Sequence, residues 1–263
     1  MKRKPSQIKP TDPAAVVVKP ALLASFYYLK DFNRNRKHYV FRDWVMDSGA
    51  FSAHNSGVEI SLADYMDTCR RLLAEDQQLT EVFALDVIGD WRAGLKNCET
   101  MWRNGIEAIP CFHFGEPWDL LLGLAKDYPK IAIGGCVGIG RKQKHEFAEQ
   151  CFARVWPKKI HGFGFGAADP VKLLPFHSVD ASTWSTGPQA YGRWNQFGRM
   201  SVRGKAQNLG AEVEFYLRLE RDVRRRWVAE MRELNTDGPT IRLAVGSGSV
   251  TGTYRALCVE RDA

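Results

Sequence analysis

Three aspartates in this chain each end a short apolar run. Trp44-Val45-Met46 leads into Asp47 and then Ser48-Gly49-Ala50-Phe51; Phe83-Ala84-Leu85 leads into Asp86; Ser178-Val179 leads into Asp180. A single acid after a strand commonly caps the next helix or makes an Asx turn. Three at one mouth pose a different problem, because crowded carboxylates repel one another unless they are used or neutralised. Two carboxylates flanking a glycosidic bond can cleave it, one attacking the anomeric carbon while the other handles protons. A third suits the edge of guanine, whose N1–H and 2-amino group are adjacent donors. Phe51 offers a ring that can stack on a base, and the small residues Ser48, Gly49 and Ala50 leave room beside it. His113 also ends an apolar run, and both a satisfied polar side chain and a reactive one remain open for it. The glycines of Ile133-Gly134-Gly135-Cys136-Val137-Gly138 and of Gly162-Phe163-Gly164 serve either as turns or as points where a flat ligand meets bare backbone. Gly162-Phe163-Gly164-Phe165-Gly166 does not fit GxGxxG, so no dinucleotide fingerprint is read there.

The elements that must carry these residues alternate. Strands are expected at 15–18, 22–28, 43–47, 81–86, 106–113, 130–135, 159–164 and 177–182, the last of them. Helices are expected at 61–77, around 91–104, and at 116–128, 142–156 and 168–174. In the first helix Leu62, Tyr65, Met66, Cys69, Leu72 and Leu73 recur at helical spacing, with Ser61 as N-cap. Repeated βα units with short loops imply parallel strands and right-handed crossovers. A count near eight predicts an α/β protein of the (β/α)8, TIM-like class, with its site at the C-terminal ends of the strands. Asp47, Asp86, His113, Gly134, Gly135, Gly162, Gly164 and Asp180 then face one mouth.

After residue 182 the texture changes. Residues 185–208, rich in Gly, Arg and aromatics, are expected to form a lid or a nucleic-acid-binding loop. Arg193, Arg199, Arg203 and Lys205 there would hold phosphates, against the alternative of a solvated basic face. A long amphipathic helix is expected over 211–234, striped by Val213, Tyr216, Leu217, Val223, Trp227, Met231 and Leu234, with its arginines mostly off that stripe. Residues 235–263 read as a tail. The whole chain reads as one barrel domain, with residues 1–13 as a flexible basic arm.

Composition narrows the partners. The 263 residues carry a formal net charge of +7, which favours polyanions such as nucleic acid. The six cysteines show no CxxC or CxC spacing, so no clustered zinc site is expected; no metal ligand and no cofactor is assigned, and a metal held by non-clustered ligands stays open. Their apolar settings suit reduced thiols. No apolar stretch has the length of a signal peptide or a membrane span. These features together predict a cytoplasmic protein without membrane contact.

Several motifs, taken in order, resemble the tRNA-guanine transglycosylase superfamily. Asp47-Ser48-Gly49-Ala50-Phe51 is similar to the family's DSGG(F/Y) motif, and Phe83-Ala84-Leu85-Asp86 to the strand that ends in its base-recognising Asp. Ile133 to Gly138 is similar to GGLAVG. His161-Gly162-Phe163-Gly164 followed by Asp169-Pro170-Val171-Lys172-Leu173-Leu174 is similar to MGVG-x-PEDLL, and Val179-Asp180 to the Phe-Asp of the nucleophile. The resemblance spans roughly residues 43–184. It implies Asp180 as nucleophile, Asp47 as general acid and base, and Asp86 as the residue that binds a guanine-like base. It also implies base contacts from the backbone near Gly134, Gly135 and Cys136, stacking by Phe51, a pocket shaped by Gly162 to Gly164, and His113 in the place of a base-contacting Gln. The family's CxCxxC-plus-His zinc subdomain is absent, Ala50 replaces a Gly, Ser52 replaces a Gln, and Asp180-Ala181-Ser182-Thr183-Trp184 replaces DCVxPTR. These departures look more like the phage-type DNA deazaguanine transglycosylases. That subgroup implies exchange of guanine in DNA for a free 7-deazaguanine base in the host cytoplasm. DNA is favoured over tRNA as the partner on this analogy.

Overall fold

The structure, a computed structural model, describes residues 18–184, 194–195, 198–199 and 205–245. Its strands are β1 (Ala21–Ser25), β2 (Trp44–Asp47), β3 (Leu79–Val82), β4 (Cys111–His113), β5 (Lys130–Gly134), β6 (Lys159–Gly162), β7 (Ser178–Ala181), β8 (Trp194–Asn195), β9 (Gly198–Arg199) and β10 (Thr240–Val245). β8 and β9 form a small antiparallel pair of their own. The other eight form one parallel sheet in the order β3-β2-β1-β10-β7-β6-β5-β4. Its two outer strands meet through a parallel bridge between Phe83 and Ile109. There the Ala84 N–H donates to the Ile109 carbonyl at 2.9 Å, and the Ile109 N–H donates to the Val82 carbonyl at 2.9 Å. The sheet thus curls into a TIM-like α/β barrel.

The helices are α1 (Leu29–Asn35), α2 (Ala50–Asn55), α3 (Leu62–Glu75), α4 (Trp91–Arg103), α5 (Trp118–Asp127), α6 (Arg141–Val155), α7 (Ala168–Leu173), α8 (Lys205–Arg226) and α9 (Val228–Glu233). Two apolar clusters follow from the two-residue period of the strands. Leu22, Trp44, Met46, Ile131, Ile133, Ile160, Val179 and Leu243 point outward and join the large core beneath the helices. Leu23, Val45, Phe83, Ile109 and Ala132 form a second, smaller cluster. The remaining alternate positions carry charge in pairs. Lys130 on β5 donates to Glu81 on β3 at 2.6 Å, and Arg242 on β10 pairs with Asp43 just before β2. Buried charges of this kind are tolerated only when paired.

Some elements differ from the sequence expectation. Residues 15–17 and the arm at 1–13 lie outside the described residues, and Val18 falls in a bend, so β1 at Ala21–Ser25 is the first strand described. The run 22–28 stops at Ser25, where Phe26–Tyr28 turn into a 3-10 helix. The eighth barrel strand is not 177–182 but β10, in what reads as tail. Its Ile241, Leu243 and Val245 are buried outward, while Arg242 interrupts the apolar run and hides the strand. The long helix starts at Lys205, so the end of the expected 185–208 loop is helical, and it breaks after Arg226, with Trp227 capping α9. One arginine of this helix is on its buried face: Arg224 donates from Nε to the Pro239 carbonyl at 3.0 Å and pairs with Glu220 at 3.1 Å.

Candidate active site

β2 delivers Asp47 to the C-terminal end of the sheet, and the turn after it is built from short-range bonds. The Gly49 N–H donates to Asp47 Oδ2 at 3.1 Å and the Ala50 N–H to Ser48 Oγ at 3.4 Å. Gly49 has φ 75°, and a Cβ there would lie 2.1 Å from Ser25 Oγ and 2.7 Å from Tyr27 Cβ. Only glycine fits this left-handed position against the end of β1. The chain then enters α2, whose first turn carries Phe51, 50% exposed.

Asp180 arrives on β7 and is 8% exposed. Its Oδ1 accepts the Gly164 N–H at 2.6 Å, and the Gly164 carbonyl accepts from Lys144 Nζ on α6. One residue, Gly164, therefore touches the carboxylate through its N–H and the cation through its carbonyl. Beneath Asp180 lies His161, fully buried, with Nε2 3.8 Å from Asp180 Oδ1 and Nδ1 2.9 Å from Ser178 Oγ. Burial and the nearby cations Lys130 and Arg242 hold His161 well below its ordinary range, so it is neutral. Phe163 packs on Phe83 at 4.7 Å and on His161 at 4.7 Å, which makes an aromatic floor.

Asp86 follows β3 and meets His113 at the end of β4, with His113 Nε2 3.3 Å from Asp86 Oδ2. The other ring nitrogen, Nδ1, lies 2.9 Å from Glu116 Oε1, and the His113 backbone N–H donates to Glu116 Oε2 at 2.7 Å. Cys111, Asp86 and Glu116 all favour imidazolium and outweigh burial, so the His113 pKa is raised. Burial pushes the Cys111 thiol to about 12.

The charges of two of the aspartates bear on the third. Burial first, then the charges of Asp86 and of Asp180, raise Asp47 to about 7, against the Gly49 and Ser48 N–H groups. Burial raises Asp180 to about 6, opposed by the Gly164 N–H and by Lys144. Both carboxyls thus keep a proton into the near-neutral range, so that the pair can supply an anion and an acid, as nucleophilic displacement with proton transfer requires. Tyr65 of α3 lies under the same group, its hydroxyl donating to the Phe83 carbonyl at 2.7 Å.

The glycines have definite places. A Cβ on Gly134 would crowd Cys111 Sγ and Phe163 Cβ, each at 3.3 Å, so these two side chains occupy that space. Gly135, at φ 71°, lies against His113, its Cβ position 2.8 Å from the His113 Cβ. Gly162 lies on the outward face of β6, where a Cβ would meet Phe176 at 2.6 Å. Gly164 holds the Asp180 contact at φ 70°. Cys136, half-buried, approaches the Gly134 carbonyl with Sγ at 3.4 Å. Arg193 and Arg203 lie outside the described residues, and of Arg199 and Lys205 only the backbone is described, in β9 and at the start of α8. An open groove of about 580 Å³ runs from Asp86 along His54, Val58, Ile60 and Ile88.

Glu116, Lys144 and Cys111 carry no site role in the sequence reading, and His161 and Tyr65 enter it only within a motif and a helical stripe. Glu116 stands three residues after His113, a spacing that could have drawn attention. Lys144 carries no such signal, because only the fold brings α6 beside the end of β7. No family model and no curated protein matches the chain.

Proposed function

We propose that this chain exchanges a guanine base in nucleic acid, with DNA as the favoured substrate, for a free 7-deazaguanine base. One observation above all supports this reading. Strand-end carboxylates from β2, β3 and β7 meet at a single mouth, close enough for Asp86 and Asp180 to bear on Asp47. They stand over an aromatic floor, and the net charge of +7 suits a polyanion.

In this mechanism the target nucleotide leaves its stack, at a cost of a few kcal/mol. Asp86 accepts hydrogen bonds from the guanine N1–H and 2-amino group. The Asp180 carboxylate attacks C1′, the C1′–N9 bond breaks, and Asp47 gives its proton to the departing base. The sugar is then held as an ester of Asp180. The incoming 7-deazaguanine attacks C1′ through N9, loses the N9 proton to Asp47, and expels the Asp180 carboxylate. Atoms and charge return to the starting state with one base replaced. Water must be kept from the ester, or an abasic site results.

The test follows labelled guanine into duplex DNA and, in parallel, into tRNA. Exchange into DNA is expected, with Asp180→Ala reducing it by at least about a thousandfold, as removal of a covalent nucleophile does. Full activity in Asp180→Ala would sink the nucleophile assignment, and exchange into tRNA alone would sink the choice of DNA. Binding of DNA is expected to weaken steeply with added salt as phosphate contacts are screened.

A further inference from the structure

The cluster behind Asp86 has a donor set that base recognition does not need. One carboxylate oxygen of Asp86, Cys111 Sγ and a ring nitrogen of His113 all lie within 4.8 Å of one another. They come from separate places, Asp86 from the segment after β3 and the other two from β4, where the strand period aims Cys111 and His113 to the same side. Glu116 engages His113 Nδ1 at 2.9 Å, so a metal ion would take Nε2, the nitrogen that faces Asp86, in exchange for its proton. An outer carboxylate that fixes the ring of a metal-binding histidine is a recurring feature of such sites.

We propose that Asp86, Cys111 and His113 bind one zinc-type divalent ion, with Glu116 as the positioning residue for His113. Spacing agrees with this. Two ligands about 2.0 Å from a tetrahedral ion stand about 3.3 Å apart, and His113 Nε2 lies 3.3 Å from Asp86 Oδ2. Sulfur sits slightly farther from zinc, at about 2.3 Å, and Cys111 Sγ lies within 4.8 Å of both other ligand atoms. Thiolate and imidazole select a borderline-soft ion over magnesium or calcium. A fourth position is also provided. A cavity of about 20 Å³ is lined by Asp86, Cys111, His113 and Glu116 together with apolar Leu95 and Leu120. That volume holds one water, which would complete a tetrahedron.

The inference goes beyond base exchange and does not depend on it. The ion and a guanine edge both require the Asp86 carboxylate, so they exclude each other, and zinc is expected to act as an inhibitor of the exchange.

The test is direct binding to the full-length, metal-free protein. One zinc ion per chain is expected. Cobalt(II) in its place should give thiolate charge-transfer absorption in the near ultraviolet and tetrahedral bands in the visible. Cys111→Ser should abolish the charge-transfer band. Cys111→Ser, His113→Gln and Asp86→Asn should each weaken binding at least about tenfold, and Glu116→Gln about 10- to 100-fold with the band retained. Absence of stoichiometric binding, or binding that none of the four substitutions changes, would overturn the site. If Cys111→Ser does not fold, alkylation of the unaltered protein replaces it. Zinc should slow modification of Cys111, mapped by mass spectrometry, and an unchanged rate would overturn the proposal. In the exchange assay, inhibition by zinc that Glu116→Gln relieves is expected. A chain that binds zinc as described but exchanges no base keeps the ion site and loses only the base-exchange reading.

Discussion

Asp180 is held in a place that an ionised carboxylate resists, and that has a measurable consequence. The native chain keeps the Asp180 proton up to about 6, whereas the ordinary value is 3.8. Between those two values the folded state binds more protons than the unfolded one, so this group lowers stability as pH rises, and above 6 the whole penalty stands. Slightly over two pH units correspond to about 3 kcal/mol. Asp180→Asn keeps an oxygen for the Gly164 N–H and never ionises. It is therefore expected to raise unfolding free energy by about 2–3 kcal/mol at pH 8 and by almost nothing near pH 4, as urea titrations at the two pH values would read. An equal effect at both would show that the gain is not electrostatic. At this scale the sequence was informative about acids and silent about their neighbours. Asp47, Asp86 and Asp180 are visible because each ends an apolar run. Lys144 and His161, which set the surroundings of Asp180, are not, since their proximity is created by packing between α6, β6 and β7.

Among the elements, β10 was the least legible and is among the most connected. A parallel barrel strand is expected as a continuous apolar run. β10 breaks that rule because the barrel interior at its level is ionic, with Arg242 paired to Asp43. The βα alternation of residues 43–182 was legible for the opposite reason: outward positions there are large and apolar, and helices such as α3 begin on a recognisable cap, Ser61 accepting the Asp64 N–H at 3.3 Å. β10 is secured from outside by Glu220 of α8, 1% exposed. Glu220 accepts the Ile241 N–H at 3.0 Å and pairs with Arg42 at 2.6 Å and Arg224 at 3.1 Å. Glu220→Ala takes one carboxylate partner from Arg42, which keeps Asp43, and from Arg224, which keeps the Pro239 carbonyl, and it leaves the buried Ile241 N–H without its acceptor, so a loss of about 1–3 kcal/mol is expected by denaturant titration. A change below 1 kcal/mol would mean that α8 does not secure the strand. Glu220→Gln, which keeps the acceptor for Ile241, should fall between the two.

For the whole molecule, the order of the sheet matters more than any single contact. β10 pairs with β1 through Ala21 to Ala24 and with β7 through Ser178 to Ala181. A chain ending at Asp237 is therefore expected to lose cooperative unfolding altogether rather than to be merely weakened, and calorimetry would show this as the absence of a sharp heat-absorption peak. A retained sharp transition would mean that the remaining seven strands are self-sufficient.

The same pairing has a bearing on how the protein is made. During synthesis β1 emerges well before β10, its partner on one side. Until β10 leaves the ribosome, β1 and β7 each present a bare strand edge, open to pairing with other nascent chains. The carboxylate proposed as nucleophile stands on one of those two edges. Completion of the site is thus tied to the arrival of β10, and chains cut short before it are expected to be both inert and prone to clump.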